Sequence, residues 1–256
     1  MSADLPDPHQ AAWAAGLYDG EGSCSAYLPK KRRSYRRQMA VSQGGLAGTH
    51  PAVLLRFKEI VGVGNITGPY RGYLYYWKTT RKDAIDRIGQ TLWPYLGLAK
   101  REQFESAAVL AKRDRSATEF SEVSRRSIDV AWAAGFFDGE GSVWVNDDPM
   151  TGSSRAIEME IPQSGATGVP EALSRFLRIV AVGRISGPHQ PTDPWARLPK
   201  YRWKSGGMAN VETLAALLWP WLGPVKRAQF ENAMRLRRAS MKRPPDRQAL
   251  IERPDH

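Results

Sequence analysis

Cysteine and histidine are scarce in this 256-residue sequence, which contains one cysteine, Cys24, and four histidines. A single cysteine excludes an intramolecular disulfide and any zinc site built on a pair of cysteines. The histidines are scattered along the chain and form no ββα-metal nuclease motif. We therefore expect a protein of a reducing, intracellular compartment, in the cytoplasm or the nucleoid.

Long apolar runs and nucleotide-binding motifs are also missing. No stretch approaches the roughly 18 apolar residues that a membrane-spanning helix needs, and the first residues lack the apolar core of a signal peptide. The sequence has neither a GxxxxGK[ST] phosphate loop nor a serine nucleophile elbow. These absences argue against a membrane protein, a P-loop enzyme and a serine hydrolase.

Positive charge is in excess, with a formal net charge of +11 and a pI of about 9.9. Such a surface attracts polyanions, which makes nucleic acid a candidate partner. Hydrophobic residues make up 42% of the chain and aromatic residues 10%, enough to build real cores. The composition therefore indicates a folded, basic protein rather than a disordered one.

One stretch occurs twice. Ala12–Ser23 (AWAAGLYDGEGS) returns as Ala131–Ser142 (AWAAGFFDGEGS), identical at ten of twelve positions and offset by 119 residues (140 − 21). Similar matches continue along both halves, which predicts two copies of one unit. Each copy reads as α-β-β-α-β-β-α-α. The predicted divisions are a flexible start (1–9), a first domain (10–113), a linker (114–129), a second domain (130–239) and a flexible tail (240–256).

The repeated stretch predicts a helix that packs closely against its counterpart. Small residues recur at spacings of three and four, which gives one face almost no side-chain bulk. Trp13, Leu17 and Tyr18 are expected to point into the core of their own half. The predicted interface residues are Ala12, Ala15, Gly16 and Asp19 in the first copy, with Ala131, Ala134, Gly135 and Asp138 in the second.

The repeated helices also carry acids at their C-terminal ends, where the helix dipole disfavours negative charge. Gly20 and Gly22 are expected to end the first helix. Two such helices side by side would bring Glu21 and Glu140 together. Like charges that close must take up protons or be bridged by cations, so the pair is a candidate site for divalent metal.

Basic and aromatic side chains concentrate on the predicted hairpins. A two-stranded β-ribbon fits the DNA major groove and can read base edges, while lysine and arginine contact phosphates. The two halves diverge at these tips, so an asymmetric DNA site is expected rather than a palindrome. The candidate DNA-binding residues are Lys30, Lys31, Arg32, Arg33, Tyr35, Arg36, Arg37 and Gln38 in the first half, and Trp144, Asn146, Arg155, Arg184, His189, Arg197, Lys200 and Arg202 in the second.

The two stretches AAGLYDGEG and AAGFFDGEG resemble the LAGLIDADG motif of homing endonucleases. The resemblance implies an α+β fold of two tandem αββαββα domains, a pseudo-two-fold single-chain monomer with DNA-binding antiparallel sheets. It further implies an enzyme that cuts both strands of duplex DNA across the minor groove and leaves short 3′ overhangs. No obligate protein partner is expected.

The same resemblance assigns roles to individual residues. Glu21 and Glu140 would be metal ligands, with the carbonyls of Gly20 and Gly139 nearby. Mg²⁺ is the expected cofactor, Mn²⁺ is plausible, and Ca²⁺ is expected to support binding without cleavage. The positions that would order the attacking water are Gln43 and Gln163, and those that would assist electrostatically are Lys100 and Lys226.

Two alternatives share this scaffold. One is a DNA-binding regulator that does not cleave, which the survival of both acids argues against. The other is an intron maturase that acts on folded RNA, which the sequence leaves open.

Overall fold

The computed structural model describes residues 6–30, 34–111, 126–146, 156–190 and 197–241. Within them the chain folds as two similar α+β halves, as predicted. The first half contains α1 (Pro8–Glu21), β1 (Gly22–Tyr27), β2 (Arg36–Gly44), α2 (Ala52–Val61), β3 (Asn65–Tyr70), β4 (Leu74–Thr79), α3 (Lys82–Leu92), a short 3-10 turn (Trp93–Tyr95) and α4 (Leu98–Leu110). The second half contains α5 (Arg126–Glu140), β5 (Ser142–Asn146), β6 (Ala156–Ser164), α6 (Glu171–Val180), β7 (Arg184–His189), β8 (Lys200–Gly206), α7 (Met208–Leu218) and α8 (Pro224–Met241).

Several helices extend past the predicted divisions. The first helix begins at Pro8, because the Asp7 carboxylate caps it by accepting from the backbone N–H of His9 at 2.9 Å. Helix α5 begins at Arg126, inside the predicted linker, and α8 runs two residues beyond the predicted end of the second domain. These shifts move boundaries without changing the number of units.

Each half contains one four-stranded antiparallel sheet, ordered β1-β2-β4-β3 or β5-β6-β8-β7. Along β4, and along β8 as far as Ser205, half-buried and buried residues alternate. Successive side chains of a strand point to opposite faces, so each sheet has an inner face on the core and an outer face toward solvent. Fully buried Trp77 and Trp203 lie on the inner faces.

Helices α1 and α5 pack against each other at the centre of the molecule and join the two halves into one hydrophobic core. Nine consecutive residues of α1, from Ala11 to Asp19, are buried. A helix buried on every side explains why α1 carries almost no polar face.

None of the helices within the described ranges is long and apolar enough to cross a membrane.

Candidate active site and nucleic-acid interface

The paired helices touch backbone to backbone at two glycines. A Cβ added to Gly16 would stand 2.0 Å from the carbonyl oxygen of Trp132, and one added to Gly135 would stand 2.0 Å from that of Trp13. No side chain fits at that separation, so glycine is required at both positions. The predicted small-residue interface is therefore present, and it fixes the ends of both helices beside each other.

Two tryptophans cross this interface, contrary to the sequence expectation. The indole nitrogen of Trp13 donates to Asp138 at 2.9 Å, and that of Trp132 donates to Asp19 at 2.8 Å. The expectation that Trp13 points into its own half was wrong, because its N–H needs a buried acceptor and the opposite helix supplies one. Tyr18 does point inward, as predicted, and contacts the ring of Phe104.

The same aspartates hold the helices that follow the sheets. Asp19 accepts from the backbone N–H of Gly97 at 2.9 Å, and Asp138 accepts from that of Gly223 at 2.8 Å. These glycines immediately precede α4 and α8. Burial raises the pKa of each aspartate to about 6, although the hydrogen bonds oppose that shift. Each aspartate therefore joins the interface to the start of a helix that carries a candidate lysine.

Glu21 and Glu140 end the paired helices, and each side chain lies on the glycine of the opposite helix. A Cβ on Gly20 would stand 2.7 Å from Cγ of Glu140, and one on Gly139 would stand 3.2 Å from Cγ of Glu21. The prediction that Gly20 ends α1 was therefore wrong. Gly20 lies inside the helix and leaves room for the side chain of Glu140. Only Gly22 caps that helix.

The surroundings of Glu21 and Glu140 disfavour the presence of two negative charges. Burial and then the charge of Glu21 raise the pKa of Glu140 to about 7. Burial also raises the pKa of Glu21. A bound cation would offset both effects, because it favours the ionised form of each acid.

Two lysines flank the acids, of which Lys100 is half-buried and Lys226 is buried. The ammonium of Lys100 donates to the carbonyl of Gly22 at 2.6 Å, and Lys226 donates to the carbonyl of Gly141. Burial lowers the pKa of both lysines, and the nearby acidic side chains, Glu21 and Glu140 among them, oppose that shift. The structure thus brings together the four charged residues that sequence reasoning selected.

The candidate glutamines are not equivalent. A hydrogen bond from Gln163 lowers the pKa of Glu140. In the first half Ser42 instead donates to Glu21 at 3.2 Å, while the side-chain oxygen of Gln43 is buried without a partner among the described residues. Sequence reasoning missed Ser42, although it directly precedes Gln43 and alternation places it on the outer face of β2.

The donor set fits a magnesium ion. Within the described parts of the chain, no three His, Cys, Asp or Glu side chains are grouped so as to hold a metal. Mg²⁺ does not need such a cage, because it commonly uses one or two carboxylates together with waters and substrate phosphates. Glu21 and Glu140 would supply the carboxylates of such a site. The carbonyls of Gly20 and Gly139 lie in last turns, where carbonyls lack helical partners.

The outer face of the first sheet is polar and basic. Tyr27 pairs with Arg36, and Ser25 pairs with Gln38. Lys30, Tyr35 and Arg36 are exposed, whereas Gln38 is half-buried. The neighbouring strand adds Tyr76 and Lys78 to this face, and sequence reasoning had not selected either.

Arg37 is a correction to the predicted DNA contacts. Its neighbours Arg36 and Gln38 lie on the outer face, so alternation turns Arg37 to the inner face, where it is 7% exposed. There it forms an ion pair with Asp86 of α3. Arg37 therefore supports the packing of α3 on the sheet and does not face a DNA partner.

The outer face of the second sheet mixes both signs of charge. The register places Trp144 beside Glu158, Glu160 beside Lys204, and Arg184 on the far side of Lys204. Both glutamates and Lys204 were missed from sequence, although strand alternation could have found them.

Among the predicted contacts of the second half, Asn146, Arg184, His189 and Arg197 are exposed, while Trp144, Lys200 and Arg202 are half-buried. Lys31, Arg32, Arg33 and Arg155 lie outside the described residues.

Comparison with known proteins identifies the fold. The sequence matches no protein-family model and no curated protein. Many solved structures resemble it over most of both chains. The LAGLIDADG homing endonuclease I-GzeII, in complex with its DNA target, shares 14% identity and a TM-score of 0.65, with 89% of each chain covered.

The LAGLIDADG meganuclease I-AabMI, bound to uncleaved DNA, shares 15% identity and a TM-score of 0.65, covering 90% of this chain and 91% of that one. The LAGLIDADG homing endonuclease I-LtrWI, bound to target DNA, shares 12% identity and a TM-score of 0.60, covering 91% and 92%. This chain therefore has the LAGLIDADG homing endonuclease fold, as the resemblance implied.

Proposed function

We propose that this chain, with its LAGLIDADG fold, is a monomeric site-specific endonuclease that hydrolyses both strands of duplex DNA. One observation carries the proposal. Two glutamates of different halves meet at the ends of the paired helices, and a half-exposed polar sheet face adjoins on either side. The first half adds a half-buried lysine and the second half a buried one. A helix crossing that served only structure would not need four charged side chains clustered at its end.

The carboxylates would hold Mg²⁺ or Mn²⁺, together with the carbonyls of Gly20 and Gly139. The ion, when bound, would lower the pKa of a bound water and neutralise charge on the phosphate. Ser42 and Gln163 orient the glutamates through their hydrogen bonds, and Gln163 and Gln43 are the proposed residues that order the attacking water. Lys100 and Lys226 place positive charge beside the acids and stabilise the charge that develops on the phosphate oxygens.

The outer faces of the sheets would bind the duplex on the two sides of the cut. Their different side chains, Arg36 and Gln38 in one half against Trp144 and Arg184 in the other, predict an asymmetric target. The active centre between them would cut across the minor groove and leave short 3′ overhangs.

A selection experiment tests this proposal. The protein would be incubated with randomised duplex DNA in Mg²⁺ and, separately, in Ca²⁺, and the cut and retained molecules would be sequenced. We expect cutting at one asymmetric site in Mg²⁺ and retention of the same site, uncut, in Ca²⁺. Glu21→Gln and Glu140→Gln should each abolish double-strand cutting, whereas Glu105→Gln, on the exposed surface of α4, should not.

The other outcomes identify the alternatives. Specific retention without cutting in either metal would indicate a regulator that binds DNA. Binding of structured RNA in preference to duplex DNA would indicate a maturase. Cutting that persists in both glutamine variants would overturn the assigned centre.

A further inference from the structure

Glu160 forms ion pairs with two basic side chains on the outer face of the second sheet. One carboxylate oxygen lies 3.4 Å from Nε of Arg202, and the other lies 3.1 Å from Nζ of Lys204. The Glu160 side chain is 13% exposed, while those of Arg202 and Lys204 are 39% and 41% exposed. The acid is thus set back into the sheet, and both cations remain accessible beside it.

The first half has no carboxylate at this place. The register pairs Ala40 with Lys78, as it pairs Glu160 with Lys204. Lys78 is held instead by an aromatic ring, because its ammonium lies 4.2 Å from the ring centre of Tyr76. Each half therefore fixes the corresponding lysine, but only the second half uses a negative charge to do so.

A carboxylate on a surface that faces DNA has an electrostatic cost. Phosphate contacts supply most of the affinity for any sequence, and lysine and arginine provide them. Glu160 opposes such contacts because it neutralises Arg202 and Lys204 in part and repels phosphate itself. Base edges are different, since guanine offers neutral acceptors at O6 and N7 that arginine or lysine binds.

We propose that Glu160 is a positioning residue that sets sequence specificity: it withholds Arg202 and Lys204 from phosphates and orients them toward guanine. This inference rests on the proposed function, since it concerns how the second sheet reads its half of the DNA site. Because Nε of Arg202 lies against Glu160, its Nη groups would be the ones available to a base. The half-site under the second sheet should therefore contain a guanine that the first sheet's half-site does not specify in the same way.

Comparison of Glu160→Gln with Glu158→Gln tests the inference. Glu158 lies on the same strand and the same face, opposite Trp144 rather than the lysine, so its substitution removes equal charge without freeing the cations. Binding to selected and to random duplexes would be measured in Ca²⁺ over a range of salt concentrations. For Glu160→Gln we expect random duplex to bind more tightly and the slope of log K against log salt to steepen by about one or two, as new phosphate contacts form.

The change in base preference should be confined to one half of the DNA site. Selection from a randomised library should show preference for the guanine falling by about tenfold in Glu160→Gln, at base pairs of one half-site only. Glu160→Asp, which keeps the charge, should retain most of that preference. In a background of Arg202→Ala and Lys204→Ala, Glu160→Gln should change neither the slope nor the preference.

The outcomes separate this inference from the function on which it rests. If the unaltered protein shows no sequence preference, the proposed function fails. If it is selective but Glu160→Gln and Glu158→Gln behave alike, the proposed function stands and the role of Glu160 is overturned. Circular dichroism of each variant would show that the fold is retained.

Discussion

The indole nitrogen of Trp13 donates a 2.9 Å hydrogen bond to Asp138, a residue of the opposite half. Asp138 in turn accepts from the backbone of Gly223, just before the helix that carries Lys226. The guanidinium of Arg56 stacks 3.9 Å above the Trp13 ring and donates to the carbonyl of Trp221. One tryptophan thus connects the helix interface, the start of α8 and the candidate active site.

Trp13→Phe should therefore destabilise the protein. It keeps a ring in place but leaves the buried Asp138 carboxylate with one donor fewer, which costs about 1–3 kcal/mol. Urea unfolding would measure the loss. Trp132→Phe should behave similarly, since it removes the matching bond to Asp19, whereas Tyr73→Phe on an exposed turn should not. Equal stability of Trp13→Phe and the unaltered protein would show that this bond contributes nothing.

Gly16→Ala should have the opposite effect from the one its helical position suggests. In an exposed helix the change stabilises by about 1 kcal/mol. Here the new Cβ would stand 2.0 Å from the backbone of Trp132, so we expect a loss of about 3 kcal/mol, at the upper end of what overpacking typically costs. Gly89→Ala is the control, because its Cβ would meet only the ring of Phe104 at 3.2 Å. Thermal unfolding of both variants would test this, and the midpoint should fall much further in Gly16→Ala than in Gly89→Ala.

The fold was largely predictable from the sequence because the second half repeats the pattern of the first, so that each half supports the assignment made in the other. The repeated AWAAG stretch identified the paired helices, and the small faces around Gly16 and Gly135 identified their contact. Glu21 and Glu140 followed from the packing of these helices, whereas Lys100 and Lys226 were assigned from the resemblance to the LAGLIDADG family.

Side chains that depend on the register between strands were less predictable. Arg37 was assigned to DNA because it lies in a basic run, but a one-residue change in a strand reverses the face. Alternation places Glu160 and Lys204 on outer faces, but their pairing was missed because it arises only when β6 and β8 are adjacent. Trp13 was misplaced because its hydrogen-bond acceptor lies 125 positions away in the chain.

Tyr18→Phe should stabilise the protein or leave it unchanged. The hydroxyl of Tyr18 is buried without a hydrogen-bond partner in the described part of the chain. The second half has Phe137 at this position and packs it against Phe230. Removing an unsatisfied hydroxyl should gain up to about 1 kcal/mol, read as a higher midpoint in urea.

Tyr75→Phe is the matched control. Its hydroxyl donates to the carbonyl of Leu46 at 2.8 Å, so the same substitution should destabilise by about 1 kcal/mol. Loss of stability in Tyr18→Phe as large as in Tyr75→Phe would mean that Tyr18 has an acceptor.

Cys24 should make stability fall at alkaline pH. Burial raises the pKa of its thiol from 9.0 to about 11, so the folded protein holds the proton more tightly than the unfolded chain does. Its contribution is fully present below pH 9 and is lost as the pH rises toward 11. Cys24→Ala lacks this contribution and should lose less stability over that interval. Parallel pH profiles for the two proteins would contradict the assignment.

Lys226→Met should slow cleavage without weakening binding. The lysine is buried, donates to the carbonyl of Gly141 and lies near both glutamates, so it can act on charge that develops in the transition state. Removing one such group lowers rates by about 10²-fold to 10³-fold. Single-turnover cutting of the selected site would measure the rate, with affinity in Ca²⁺ unchanged. Lys58→Met, on the exposed surface of α2, should cut normally. A normal rate in Lys226→Met would remove this lysine from the mechanism.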